Sequence, residues 1–325
     1  MTTSSQGMSA SERVHAAIQG QPVDRVPLVF WHHFKPEGSG QRLAEMTLDF
    51  FIGKFRLDIV KIMPDLPYPA PQQPVTQAVQ WRDLPRLSVA NTESFQQQLV
   101  CIRTIREKLG NDYPLILTLF SPLTMLMRFV GKPTAEQMLR SDPDSCEVGM
   151  KTIAANLRDL MKAAIDTGVS GIFFSCMGAT NVNLTREEYK QYGRPYDLQA
   201  LEGAQDGWLN VVHVHADPNQ AGDELYFDIF TDYPVSVMSW SDKLTGPSLS
   251  EAFTMTDKGL MAGLAERGPL TQGPEDALAD EMRAAIAQTN GRRLILANGC
   301  SVPDDTPEIW LHAARRLVDT IVINR

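Results

Sequence analysis

No part of this 325-residue chain is apolar for the ~18 consecutive residues that a membrane-crossing helix needs. Cysteine is scarce. Cys101, Cys146, Cys176 and Cys300 are the whole set, with no CxxC pair and too few cysteines for a disulfide framework. Free thiols in a reducing compartment are expected, and with them a cytoplasmic location. Runs of five or six like charges are also missing. The formal net charge is −9 and the pI about 5.2. A nucleic-acid binder needs a basic face to displace counterions, so that class is excluded. Neither GxGxxG at a helix start nor GxxxxGK[ST] occurs, which removes the common nucleotide-binding loops. The opening MTTSSQGMSASER lacks a basic stretch followed by an apolar one, so residues 1–10 are expected to be a disordered lead-in and not a secretory signal.

What the chain does have is a rhythm. It is 43% hydrophobic and 21% charged, ordinary for a globular protein. Short apolar runs rich in β-formers recur: RVPLVFWHH (25–33), LDIVKIMP (57–64), PLILTLFS (114–121), GVSGIFFS (168–175), NVVHVHA (210–216), PVSVMSWS (234–241), GLMAGL (259–264) and RLILANG (293–299). Near-continuous apolar runs suit parallel strands covered on both faces. Helix grammar lies between them: 94–109 closing at Gly110, 144–167 closing at Gly168, 274–288 opening on Pro-Glu-Asp, and a last helix opening at Thr306-Pro307-Glu308. Eight strands alternating with helices over 11–325 predict one domain, a (β/α)8 TIM barrel; a doubly wound open sheet is the competing arrangement. The segment PDLPYPAPQQPVTQ (64–77) is too proline-dense for regular structure and follows the second strand, where a barrel carries an active-site loop.

In such a barrel the chemistry sits at the C-terminal ends of the strands. His32 and His33 fall there, as do Cys176, His213, His215, Trp240, Asp242, Asn298 and Cys300. Side chains alternate along a strand, so His213 and His215 share a face, Val212 and Val214 take the other, and only one of His32 and His33 turns inward. Two imidazoles plus the Cys300 thiolate make a three-ligand zinc set with one position open to substrate. Asp217 or Asp242 could complete the set or orient a ring. The competing reading makes the histidines hydrogen-bonded interior residues or direct substrate contacts. Cys101, Cys146 and Cys176 are expected to be packing residues, as are Trp31, Trp81 and the methionines of LTMLMRF (123–129). His15 and His312 are expected on terminal helices.

Three segments together resemble one family. ERVHAAIQGQPVDRVPLVFW (12–31), LTREEYKQYGRPYD (184–197) and NGCSVPDDTPEIWLHAARRLVD (298–319) are similar to ordered motifs of the uroporphyrinogen decarboxylase family. The resemblance implies a (β/α)8 barrel and one of two chemistries. One branch decarboxylates a porphyrinogen without a cofactor and holds its carboxylates with arginines of a strand-one motif. The corresponding place here reads WHHFKPE (31–37), without arginine, and Asp65 is the nearest counterpart of the decarboxylase aspartate. The other branch comprises zinc-dependent, corrinoid-linked methyltransferases, whose His-x-Cys and late Cys correspond to His213, His215 and Cys300, with histidine replacing the middle cysteine.

The leading expectation is therefore methyl transfer to a thiol, from a corrinoid on a partner protein or from a small methylated compound. His213, His215 and Cys300 bind Zn²⁺ in this reading, His213, His215 and Asp242 are catalytic, and His32, His33, Asp65, Tyr196, Trp240 and Asn298 contact substrate. The alternatives are a cofactor-free lyase acting on a carboxylic acid, with His32, His33 and Asp65 indispensable, and a non-catalytic barrel that binds a tetrapyrrole or corrinoid. A homodimer is the default assembly.

Overall fold

A computed structural model describes residues 7–216 and 222–322. Eight parallel strands form one sheet in the order β1-β8-β7-β6-β5-β4-β3-β2: β1 Leu28–Val29, β2 Val60–Ile62, β3 Leu115–Phe120, β4 Gly171–Cys176, β5 Val211–Val214, β6 Val237–Trp240, β7 Gly259–Leu264 and β8 Leu294–Asn298. Every run read as a strand overlaps one, and helices pack around the ring, so the architecture is the (β/α)8 barrel. Apart from β7, the strands are shorter than the apolar runs. In β1 the two paired residues sit inside a run of nine, because only Leu28 and Val29 find ladder partners, in Leu296 and Ala297. The helices follow the same grammar: Glu93–Leu109, Pro143–Thr167, Glu275–Thr289 and Glu308–Val318. Each of the first two is closed by a glycine at positive φ, Gly110 and Gly168, where a side chain would be strained.

The ring closes between β1 and β2 through a single residue. Asp58 N–H donates to Leu28 O at 3.0 Å, and the Asp58 carboxylate accepts from Leu28 N–H at 2.8 Å. The same carboxylate binds Arg13 at 2.7 Å and Arg25 at 2.6 Å, while Arg13 also pairs with Asp24. The Asp-Arg of QPVDRVPLVF is thus explained as part of a buried clamp beneath the N-terminal end of β1. No helix of the described residues is long and apolar enough to cross a membrane.

Candidate active site

The C-terminal mouth of the barrel holds a cavity of about 240 Å³ walled by Trp31, His33, Lys61, Phe173, His213, His215 and Cys300 among others. Strand register explains the cast. Ser175 lies opposite His213 on β4 and β5, and His213 opposite Ser239 on β5 and β6, so all three turn inward. The His213 Nδ1 stands 3.1 Å from Ser239 Oγ, and the ring stacks on Phe173 with centroids 5.2 Å apart. Burial, with smaller contributions from His215 and Lys61, holds the His213 pKa well below the ordinary imidazole value. A neutral ring is the form that can accept a proton or bind a metal.

Cys300 comes from the turn after β8. Its Sγ lies 3.6 Å from His215 Nε2, and the His213 and His215 ring centroids are 5.8 Å apart. Glycine is required just before it. A Cβ on Gly299 would stand 2.3 Å from Ser241 Oγ, so only glycine lets this turn approach β6 closely enough. Burial first, then Glu266, raises the Cys300 pKa, and Lys61 pulls it back. The separation of 3.6 Å matches an S–H···N hydrogen bond. It also matches the spacing of about 3.6 Å between a sulfur and a nitrogen held by one tetrahedral zinc ion at ~2.3 and ~2.1 Å. Among the described residues no group of three or more His, Cys, Asp or Glu side chains is disposed to hold a metal ion; the separation that suits two ligands of one ion is that of His215 and Cys300.

His33 and Asp65 form the opposite lip. His33 Nδ1 lies 2.6 Å from Asp65 Oδ1, and Asp65 Oδ2 accepts from Phe34 N–H at 2.7 Å. The expected alternation holds: His33 faces the cavity, whereas His32 is wedged between Phe34 and Phe50 at 4.6 and 4.5 Å. Burial lowers the His32 pKa.

Two expected substrate contacts, Trp240 and Tyr196, and one expected catalytic residue, Asp242, do not line this cavity. Trp240 is on the helix-covered side of β6, edge-on to Phe227 and donating to Pro247 O, because its neighbour Ser239 holds the inward position. Tyr196 is buried in the outer helical layer, where burial, and after it Glu147, raises its pKa. Asp242 turns to β7, accepting from Gly263 N–H at 2.9 Å and pairing with Lys243 at 3.1 Å. Asn298 braces the mouth from behind, donating to the carbonyls of Trp31 and Cys300. Asp217 lies outside the described residues.

Lys61 is the residue that sequence reading missed. It is 1% exposed, yet it lines the cavity. Its Nζ donates to Met63 Sδ at 3.2 Å and sits over the rings of Phe173 and Trp31, 4.2 and 4.8 Å from their centroids. Burial lowers its pKa to about 7. A lone lysine inside LDIVKIMP, two residues before a methionine, was the available signal.

Cys176 is a packing residue, as expected, but its polar neighbours were not foreseen. Behind β4, Asp197 Oδ2 accepts from Tyr189 and Tyr233 hydroxyls at 2.8 and 2.9 Å, with Cys176 Sγ at 3.8 Å. Burial outweighs these donors and lifts the Asp197 pKa from 3.8 to about 7. The native chain therefore holds a proton that the unfolded chain has released across that window, and stability falls as pH rises through it. In urea titrations, the unfolding free energy of the native sequence relative to Asp197→Asn should drop between pH 4 and 7 with a slope approaching ~1.4 kcal/mol per pH unit. A flat difference would show that Asp197 is ionised in the fold.

No curated protein matches this chain. Among solved structures, a methyltransferase from Methanosarcina mazei is 17% identical, with 96% of this chain and 99% of that one aligned at a TM-score of 0.74. A B12-independent methionine synthase from Shewanella sp. W3-18-1, determined in complex with selenomethionine, is 16% identical over 68% of this chain and 66% of that one, at 0.52. At these identities the likeness is one of fold. The family model described as uroporphyrinogen decarboxylase (URO-D) matches residues 59–321, most of the barrel from β2 to the end of the last helix, and the chain belongs to that family.

Proposed function

We propose that this protein is a methyltransferase that alkylates a thiol at the barrel mouth, with zinc held by His213, His215 and Cys300. The observation that carries the reading is the 3.6 Å approach of Cys300 Sγ to His215 Nε2, two side chains delivered by strands far apart in the sequence. When bound, zinc lowers the pKa of a coordinated thiol so that it is a thiolate at neutral pH. Ser239 fixes the tautomer and direction of His213 by holding Nδ1, leaving Nε2 as the remaining donor atom. Trp31, Phe173 and Met63 keep bulk water from the reacting groups. The acid–base pair His33–Asp65 stands at the open lip, where it can take up the proton released by the incoming thiol. The methyl donor is a corrinoid carried by a partner protein or a small methylated compound.

Protein purified without chelator should hold stoichiometric zinc by elemental analysis and methylate a thiol from methylcobalamin. Zinc should be lost in His215→Ala and Cys300→Ala. Ser239→Ala should weaken zinc binding by about 10–100-fold, the usual effect of removing a group that orients a ligand. Metal-free protein that is fully active would overturn the proposal. The second reading, a cofactor-free lyase for a carboxylic acid, is favoured by one feature: Lys61 and Arg128 place an amine and a guanidinium on the wall of the same cavity. It requires activity that survives chelation and disappears in His33→Ala and Asp65→Ala.

A further inference from the structure

Next to the mouth lies a second chamber of about 240 Å³, which shares the wall residues Pro64, Thr118, Phe120 and Arg128 with the first. Its roof is the proline-rich segment after β2. That roof is fixed: Asn156 Nδ2 donates to Tyr68 Oη at 2.7 Å, and Gln98 Nε2 donates to Leu66 O at 3.1 Å. Rings of Tyr68, Phe95 and Phe129 face one another around it, with Tyr68 centroids 5.6 Å from Phe95 and 6.1 Å from Phe129. Two polar atoms break the apolar lining. Gln98 is 5% and Thr118 3% exposed, and neither Gln98 Oε1 nor Thr118 Oγ1 has a hydrogen-bond partner. The bond from the amide nitrogen to Leu66 O fixes which end of the Gln98 amide is the oxygen, and that oxygen is the acceptor left without a partner. Buried oxygens are nearly always paired in native proteins, by protein or by water, and these two belong to residues that line one apolar chamber, where a ligand carrying a donor would satisfy them.

We propose that this chamber is a binding subsite for a ring-bearing limb of the substrate, one that carries an O–H or N–H group received by Gln98. An apolar cavity of about 150 Å³ accommodates benzene, so this chamber has room for a singly or doubly substituted ring. Thr118, on the shared wall, marks where the limb passes toward the reacting groups. The substrate class is thus an aromatic or cyclic compound whose reacting end reaches the histidine–cysteine pair while its ring lies under residues 64–70. This inference rests on the mouth being the reaction chamber, but it makes no use of zinc or of methyl transfer.

The experiment measures binding of p-cresol and toluene to the full chain by calorimetry after treatment with chelator, so that a failed metal site leaves the result unaffected. The native protein should bind p-cresol about tenfold tighter than toluene, the value of one hydrogen bond to a buried acceptor. Gln98→Met should lose that preference and keep toluene binding. Leu160→Trp, which fills the chamber, should abolish both while leaving the thermal transition cooperative. Thr118→Val gives an independent variant should Gln98→Met not fold, and it should narrow the preference. Equal affinity for the two probes in the native protein, binding of neither, or binding unchanged by Leu160→Trp would each overturn the proposal.

Discussion

Replacing Asp58 with alanine should destabilise the barrel by about 3–5 kcal/mol, the usual loss when one member of a buried ion pair is removed. Out of a total of roughly 5–15 kcal/mol this approaches unfolding. The reason is convergence. One carboxylate, 2% exposed, answers Arg13, Arg25 and the Leu28 N–H at once. Alanine leaves two guanidinium groups part-buried and the seam between β1 and β2 with only the Asp58 N–H bond to Leu28 O. Arg13 keeps Asp24 and Arg25 keeps Asp319, so the two arginines fall back on more exposed partners. Because the clamp is buried, added salt should change the difference little. Urea midpoints of native and Asp58→Ala protein decide it, and a difference below about 1 kcal/mol would show that the ring does not depend on this closure.

The eight strands were legible because buried parallel strands are written as continuous apolar runs. The parity of β5 was legible as well, since His213 and His215 are flanked by valines that suit only the helix-covered face. Parity failed on β6. Trp240 and Asp242 are the conspicuous side chains of PVSVMSWSD, but Ser239 is the residue that meets His213, and a serine in an apolar run attracts no notice. Lys61 is hidden for the opposite reason: a single lysine does not interrupt a run that is otherwise apolar. Tyr196 shows the limit of carrying a motif over by resemblance, since a segment can match while its side chain serves helix packing. The reach of Cys300 to His215 followed from two strand ends sharing one rim. The disposition of His213 toward that pair was beyond reach from sequence, because it depends on side-chain direction and on the Ser239 contact.

Lys61→Met should stabilise the protein by roughly 3 kcal/mol at pH 7 while impairing ligand binding at the mouth. The lysine ammonium has no carboxylate within ion-pair distance among the described residues; its contacts are a thioether and two aromatic faces. A fall in pKa from 10.5 to about 7 corresponds to roughly 5 kcal/mol at about 1.4 kcal/mol per pH unit, and methionine removes most of that penalty while filling similar space. The sign of the pH dependence is a sharper test. Between pH 7 and 10.5 the unfolded chain holds a proton on this amine that the native chain has released, so stability rises with pH across the window. The rise should vanish in Lys61→Met. Lys61→Arg, whose guanidinium cannot discharge, should be less stable than the native sequence throughout. Native and Lys61→Met proteins with parallel stability–pH curves would show instead that the amine is solvated and charged, and that its position in the barrel carries no such penalty.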